Sequence, residues 1–293
     1  MVATVLSLID GPTPLLGQIV HFQFYLALGW AAWIGVFLLF GRHKERSQIR
    51  RGALLTGLLA LIWHGHTWAG PLGWPTAYAL DQPDKTLRVM WANVQHEEAH
   101  IQRLIEVIKQ ENPDVVGLGE AVHGKALKQL LLDYPYSIEG LENGLILCSR
   151  LPWVQTERID VPKSRPILRG ELQWQGQRMH VFAVHALWPT QSAHLESCFA
   201  AATLSRQYAN SVFMGDWNTT PWAPSFRYLI QHSDLRDARQ GGAAWATWGL
   251  HQMPWVRLPI DHLFFGGDLK VGNFRVGPEF GSDHNPILAE IWL

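Results

Sequence analysis

Hydrophobic and polar positions follow two different regimes along this chain. Over residues 1–80 they hardly alternate. Leu15 to Phe40 is an uninterrupted uncharged run, and at about 1.5 Å per helical residue it exceeds the roughly 20 residues that a bilayer core requires. Its polar members Gln18, His21 and Gln23 cluster at the start, where they can face headgroups or a partner helix. Gly52 to Trp74 is a second run, strongest over Ala53 to Trp63, and Trp63, Trp68 and Trp74 suit an interfacial belt. The pattern predicts a membrane anchor over residues 1–80, with two transmembrane helices at about 15–40 and 52–74. Met1 to Asp10 has no basic residue, which disfavours a signal peptide.

Past the acidic, Pro-containing linker 81–85, the period changes to that of alternating strands and amphipathic helices. Thr86 to Asn93 reads as an opening strand. Glu97 to Gln110 carries Ile101, Leu104, Ile105 and Ile108 at helical spacing, and Pro113 closes it. Strands are expected at Val115–Leu118, Gly144–Ser149, Gly170–Trp174, Arg178–His185, Val212–Gly215, Ile260–Phe265 and Pro286–Trp292, and helices at Lys125–Leu132, Ser192–Ala209 and Pro224–Ile230. Strands and helices in mixed order, with hairpins, predict an α+β domain over 86–293 in which two β-sheets pack face to face between helices.

Charge sharpens this division. Residues 1–41 hold one acid or base other than His, Asp10, and residues 52–80 hold none. Between them the loop 42–51 concentrates five Lys and Arg against one Glu. The positive-inside rule keeps such a loop cytoplasmic and puts both termini on the far side, so the expectation is a multi-pass protein of the inner or plasma membrane with an extracytoplasmic domain. Residues 81–293 carry 19 Lys and Arg against 23 Asp and Glu, a net −4, which argues against a life spent on non-specific phosphate-backbone contacts. Cys148 and Cys198 have no metal-ligand spacing and read as buried thiols.

The chemistry-bearing residues sit where apolar strands end, which is where layered sheets place their sites. Glu120 closes Val115-Val116-Gly117-Leu118-Gly119 and is the best metal candidate, because it would otherwise be an unpaired buried charge. Asn93 ends the first strand and can support either that metal carboxylate or a phosphate oxygen. Gly215-Asp216-Trp217-Asn218 places a carboxylate and an amide two residues apart, the acid to hold a water and the amide to orient a phosphate oxygen or the acid itself. His185, after Val181 to Val184, can stabilise phosphoryl charge or protonate a leaving group. Gly281-Ser282-Asp283-His284-Asn285-Pro286 is a stiff turn aiming an acid and an imidazole. Asp261 is a candidate orienter for His284, since a carboxylate on one ring nitrogen fixes the tautomer and raises the basicity of the other.

The ordered set Trp91-Ala92-Asn93-Val94, Pro113-Asp114-Val115-Val116 running to Glu120, Gly144 to Arg150, Val184-His185, Gly215 to Asn218, Ile260-Asp261-His262 and Gly281 to Pro286 resembles the endonuclease/exonuclease/phosphatase (DNase I-like) superfamily, over about 86–293. That superfamily includes nucleases, sphingomyelinases and inositol polyphosphate phosphatases. The resemblance implies a four-layered αββα sandwich and Mg²⁺-dependent cleavage of a phosphate ester, with Mn²⁺ or Ca²⁺ as substitutes. By it, Glu120 would bind the metal with support from Asn93, and Asp283 would lie at the metal side. Asp216 would orient or deprotonate the attacking water, Asn218 would hold a non-bridging oxygen, His185 would assist at the phosphate, and His284, paired with Asp261, would stabilise the transition state. Two positions depart from the pattern: Gln95 stands where some nucleases of the family have a second acid, and Gly119 where many relatives have Gln.

The expectation is therefore a membrane-anchored, metal-dependent phosphodiesterase or phosphatase. Its partners would be the lipid bilayer and a phosphate ester, whether lipid head group, nucleotide or nucleic acid. A nuclease is the rival enzyme, and a non-catalytic binding protein that kept the fold is the rival from another class.

Overall fold

Without a charge to interrupt it, the run from Val20 is helical: a 3-10 turn, Val20–Phe22, leads into α1, Gln23–Phe40. The computed structural model describes residues 19–40, 47–69, 83, 85–140, 144–191, 193–239, 246–250 and 253–293. Among these, one helical stretch, Val20–Leu39, is long and apolar enough to cross a membrane. The second span expected at 52–74 is not of that kind. Helix α2, Ser47–Ala69, begins inside the basic segment and takes in Arg50 and Arg51, and His64 and His66 dilute its other end. What remains between, Ala53 to Trp63, is too short at about 1.5 Å per residue to cross a core of about 30 Å. Trp33 packs over Gly57, and Gln23 hydrogen-bonds His64, so α2 runs back antiparallel along α1. Most of the linker 81–85, and Trp74, lie outside the described residues.

From Leu87 onward both faces of the central strands are buried, and alternation decides which side chain goes to which layer. In β1 (Leu87–Asn93), Val89 and Trp91 point to the sheet–sheet core while Met90 and Ala92 point to a helical layer. One mixed sheet has the order β13-β14-β1-β2-β4-β3, formed by Lys270–Val276, Ile287–Trp292, β1, Val115–Gly119, Ile146–Ser149 and Tyr136–Glu139. The other is β5-β6-β7-β8-β12-β9, formed by Gln155–Ile159, Ile167–Trp174, Gln177–His185, Ser211–Asp216, Asp261–Phe265 and Arg236–Asp237. A ribbon of β10 (Trp248–Leu250) and β11 (Met253–Leu258) stands apart.

Helices α3 (Glu98–Glu111) and α4 (Lys125–Asp133) cover the first sheet with Ile101, Leu104, Ile105, Ile108 and Leu127. Helices α5 (His194–Gln207) and α6 (Pro224–His232) cover the second, where Cys198 and Phe226 meet Phe182, Phe213 and Phe264. The result is an α+β sandwich of four layers, αββα. Strands β3, β5, β9, β10, β11 and β13 have no counterpart among the sequence expectations. β3 and β5 are exposed sheet edges, and β13 is an edge strand with a register shift between Gly272 and Arg275, so neither alternates cleanly.

The start of α1 is joined to the sandwich. His21 Nδ1 lies 3.0 Å from Thr220 Oγ1, and Trp222 Nε1 donates to the His21 carbonyl at 3.1 Å. The Tyr25 hydroxyl donates to the Trp255 carbonyl at 2.7 Å and accepts from the Arg257 amide at 2.6 Å.

Candidate active site

Register brings the strand ends together. In the first sheet Asn93 pairs with Gly119, the residue before Glu120. In the second, His185 pairs with Asp216, and Asp216 in turn with Asp261. The two rims face each other across the sandwich, and the turn ahead of β14 brings Asp283 and His284 between them. Glu120 and Asn218 hold left-handed backbone, with φ of 56° and 48°. Non-glycine residues in this region are uncommon and strained, and such strain gathers at functional sites. Here it turns each side chain inward as its strand ends.

Asp216 is the hub. Asn93 Nδ2 donates to its Oδ2 at 3.2 Å, and the Asn218 amide donates to its Oδ1 at 2.9 Å. The same Oδ2 lies 3.6 Å from His185 Nε2 and 3.8 Å from His284 Nε2. His185 Nε2 is also 3.6 Å from Glu120 Oε1. Behind His284, Nδ1 donates to Asp261 Oδ2 at 2.8 Å, and Trp91 Nε1 donates to Asp261 Oδ1 at 2.9 Å. Asp283 Oδ1 is 4.0 Å from His284 Nε2, and its Oδ2 accepts from Trp248 Nε1 at 3.0 Å. The eight residues singled out from sequence thus lie around one buried centre.

Burial and mutual charge set the protonation of the cluster. Desolvation raises the Asp216 pKa, the His284 charge opposes this, and Asp261 adds to it. His284 also pays for burial, but the carboxylates of Asp261 and Asp216 outweigh it and hold the imidazole protonated well above its usual range. His185 goes the other way, pushed well down by burial and by the cations Arg165 and His284, so it is a neutral imidazole.

Asp216, Asp261 and His284 offer ligand atoms within 4.8 Å of one another. That trio is nevertheless poorly suited to a metal, since both Asp261 oxygens already accept hydrogen bonds and His284 retains its proton. A hard divalent cation fits better on the side of Glu120 and Asp216, where both carboxylates lie 3.6 Å from one neutral imidazole nitrogen. The buried Asn218 Oδ1 is without a partner there, an acceptor available to a water of such an ion. Asn93 Oδ1 accepts from the Gln95 amide at 3.0 Å, which leaves one of its two lone pairs. Asn218 Nδ2 donates to the Ala186 carbonyl at 3.0 Å and has a second hydrogen left for an anion.

Four participants escaped the sequence reading. His96 Nε2 stands 3.6 Å from Glu120 Oε2, and Arg165 feels the charges of Asp216 and Glu120 from the segment before β6. Arg165 has no local signal, being a lone Arg between Ser164 and Pro166. Trp248 steadies Asp283, and the buried Arg239 donates to the Asp261 carbonyl. The Gly119 departure has a steric cause. A Cβ there would lie 2.9 Å from the Trp91 ring, and this ring is the one that reaches Asp261.

A two-sheet αββα sandwich with carboxylates and imidazoles converging on one rim defines a hydrolase-type class of fold and site. Residues 90–284 match the Endonuclease/Exonuclease/phosphatase family, and the chain belongs to that family, whose members are hydrolases of phosphate esters. Solved structures share the fold at low identity. A mannosyl-6-phosphatase from Bacteroides thetaiotaomicron is 15% identical at a TM-score of 0.58, covering 71% of this chain and 100% of its own. TDP2 of D. rerio, complexed with a single-strand DNA product, is 16% identical at 0.59, covering 72% and 100%. Sphingomyelinase C from Streptomyces griseocarneus is 16% identical at 0.55, covering 70% and 99%. Among curated protein sequences nothing matches.

Proposed function

We propose that the chain is a membrane-anchored, divalent-metal-dependent hydrolase of phosphate esters, with residues 1–80 as anchor, 81–85 as linker and 86–293 as catalytic domain. The observation that carries it is the buried contact set in which Asp216 meets Asn93, His185 and His284 while Glu120 meets His185. A lapsed site has no physical reason to keep these acids and imidazoles together against the cost of burying them.

Glu120, assisted by Asn93 and Asp283, would hold Mg²⁺, which when bound neutralises charge developing on the phosphoryl group. Asp216, with its pKa raised by burial, accepts the proton of the attacking water. Asn218 orients that acid through its backbone amide and offers its side-chain N–H to a phosphoryl oxygen. His284, held charged by Asp261, presents Nε2 to the phosphoryl oxygens as a preorganised donor. His185, neutral, donates toward the carboxylates or the phosphate, and Arg165 adds positive charge on the same side.

The anchor reading rests on α1 and on surface. Leu28, Val36, Leu38 and Leu39 of α1 and Leu55, Leu58, Leu59 and Ile62 of α2 are all exposed, an apolar face that water does not favour. The basic segment follows the Phe40 end of α1, which the positive-inside rule keeps cytoplasmic. A reporter fused after Leu293 tests the side of the catalytic domain.

The activity test is direct. Full-length chain in detergent, given bis(p-nitrophenyl) phosphate or p-nitrophenyl phosphate, should turn over only with a divalent cation, and Asp216→Ala or His284→Ala should lose at least about a hundredfold. Metal-independent turnover, or variants at the parent rate, contradicts the reading. A nuclease is the second reading, favoured by the TDP2 neighbour solved with a DNA product. It requires nicking of plasmid or loss of single-stranded DNA with a steep salt dependence.

A further inference from the structure

We infer that the helical start at Val20–Phe22 is part of the support of the active site, with His21 as a positioning residue for the loop that carries Asn218; this rests on the hydrolase reading above. Burial divides the N-terminal helix in two. Val20, His21 and Gln23 are buried, whereas Leu28, Val36, Leu38 and Leu39 are exposed. The first residues therefore pack as a piece of the sandwich, and the exposed apolar surface begins beyond them.

The loop they pack on is itself buried. Residues 217–223, between β8 and α6, are all shielded from solvent. Connections normally run over the surface, where water satisfies their amides and carbonyls, so the protein partners of this loop decide its shape. The Trp217 amide donates to the Ile260 carbonyl at 3.0 Å, and the Asn218 amide to Asp216 Oδ1 at 2.9 Å. His262 Nε2 donates to the Thr219 carbonyl at 2.7 Å, and the Ala223 amide to the Thr220 carbonyl at 2.9 Å. The Thr220 amide donates to His21 Nδ1 at 3.3 Å, and the same nitrogen lies 3.0 Å from Thr220 Oγ1. Because an amide donates to it, that nitrogen carries no hydrogen, and the hydroxyl donates to it as well. The other partners belong to the sandwich, whereas His21 comes from the anchor, 199 positions before Thr220.

Asn218 is where such support is needed. Its φ of 48° is a strained left-handed conformation that persists only while the surroundings enforce it. Upstream it is fixed by β8, whose Asp216 pairs with Asp261. Downstream the fixed points are Thr219 and Thr220, and the second of these depends on His21. Without the His21 acceptor, the Thr220 amide is a buried donor with no acceptor among the described residues, a cost that the loop relieves by turning. Turning draws the Asn218 amide away from Asp216 Oδ1 and its side-chain N–H away from the phosphoryl oxygen. A displacement of about 1 Å in such a group costs up to about a hundredfold in rate. Attachment of the anchor does not by itself require this contact, because Tyr25 already holds α1 to β11 through the Trp255 carbonyl and the Arg257 amide.

The test uses the full-length chain in detergent with Mg²⁺ and bis(p-nitrophenyl) phosphate or p-nitrophenyl phosphate, and follows thermal melting beside turnover. His21→Ala and His21→Gln should lower kcat by at least about tenfold. Gln is the milder change for the fold, and its amide reaches past the place of Nδ1 rather than to it. His21→Asn puts an oxygen acceptor where Nδ1 stood and should restore most of the parent rate. In an Asn218→Ala background the group to be positioned is gone, so the same His21 replacements should lower the residual turnover less than about twofold. A loss caused only by a loosened fold would recur in that background and follow the melting temperature across the variants. Parent-like kcat in both His21→Ala and His21→Gln, the full loss repeated in the Asn218→Ala background, or His21→Asn no faster than His21→Ala overturns this inference and leaves the hydrolase standing. Absence of turnover in the parent sinks the hydrolase reading, and this one with it.

Discussion

Asp216 carries an energetic cost that its role explains. Its folded pKa is raised from 3.8 to about 7, so the native state binds the proton more tightly than the unfolded chain does. Stability is therefore lost as pH rises through that window. In the metal-free protein, Asp216→Asn should raise the unfolding midpoint at pH 8 relative to the parent while abolishing turnover, which thermal melts beside an assay will show. His284 has the opposite linkage. Burial opposes its charge, but Asp261 and Asp216 raise its pKa from 6.5 to about 10, so its contribution to stability is complete below 6.5 and disappears as pH climbs through 10. Turnover should accordingly fall at alkaline pH as His284 loses its proton. In Asp261→Asn the alkaline fall should move to lower pH, a shift that a merely weakened fold would not produce. At this scale the acids and imidazoles were legible, because a polar group closing an apolar strand has few structural reasons to be there. Arg165 and His96 were not, since an isolated Arg or His in a loop looks the same whether or not it faces a carboxylate.

Among the elements, the strands that were read correctly are the buried central ones, whose apolar runs are bounded by Gly, Asn or Asp. The exposed edges were missed because nothing buries one face of them and no alternation is imposed. Close approach between elements is equally invisible in one dimension. Gly119 is small because the indole of Trp91 lies against it, and that indole steadies Asp261. Gly119→Ala should cost about 1–3 kcal/mol by overpacking and should lower kcat more than it weakens metal binding, which titration calorimetry and steady-state kinetics separate. The second membrane helix was mispredicted from hydropathy alone. Helix α2 exists, but its start reaches back into the arginines, and it lies against α1 through Gly57 and His64.

For the molecule as a whole, an apolar helix gripped by its own catalytic domain has a consequence for extraction. Full-length chain should sediment with membranes through high salt and alkaline carbonate and be released only by detergent, whereas a protein held by surface charge would leave in salt. A chelator should abolish turnover without releasing it from the membrane, which separates the metal's role from the anchor's.

Local patterning by itself determined the apolar stretch from Val20, the basic segment after it, the α+β character of the rest and the identity of the groups that meet at the rim, because period, charge and strand-ending residues are properties of neighbours in sequence. Only the tertiary structure decided which of those groups share a nitrogen or an oxygen, which histidine is charged and which neutral, and that the start of α1 grips the loops beside Asp216 and Asp283. These depend on register and on packing between segments as far apart as His21 and Thr220, and no spacing along the chain encodes them.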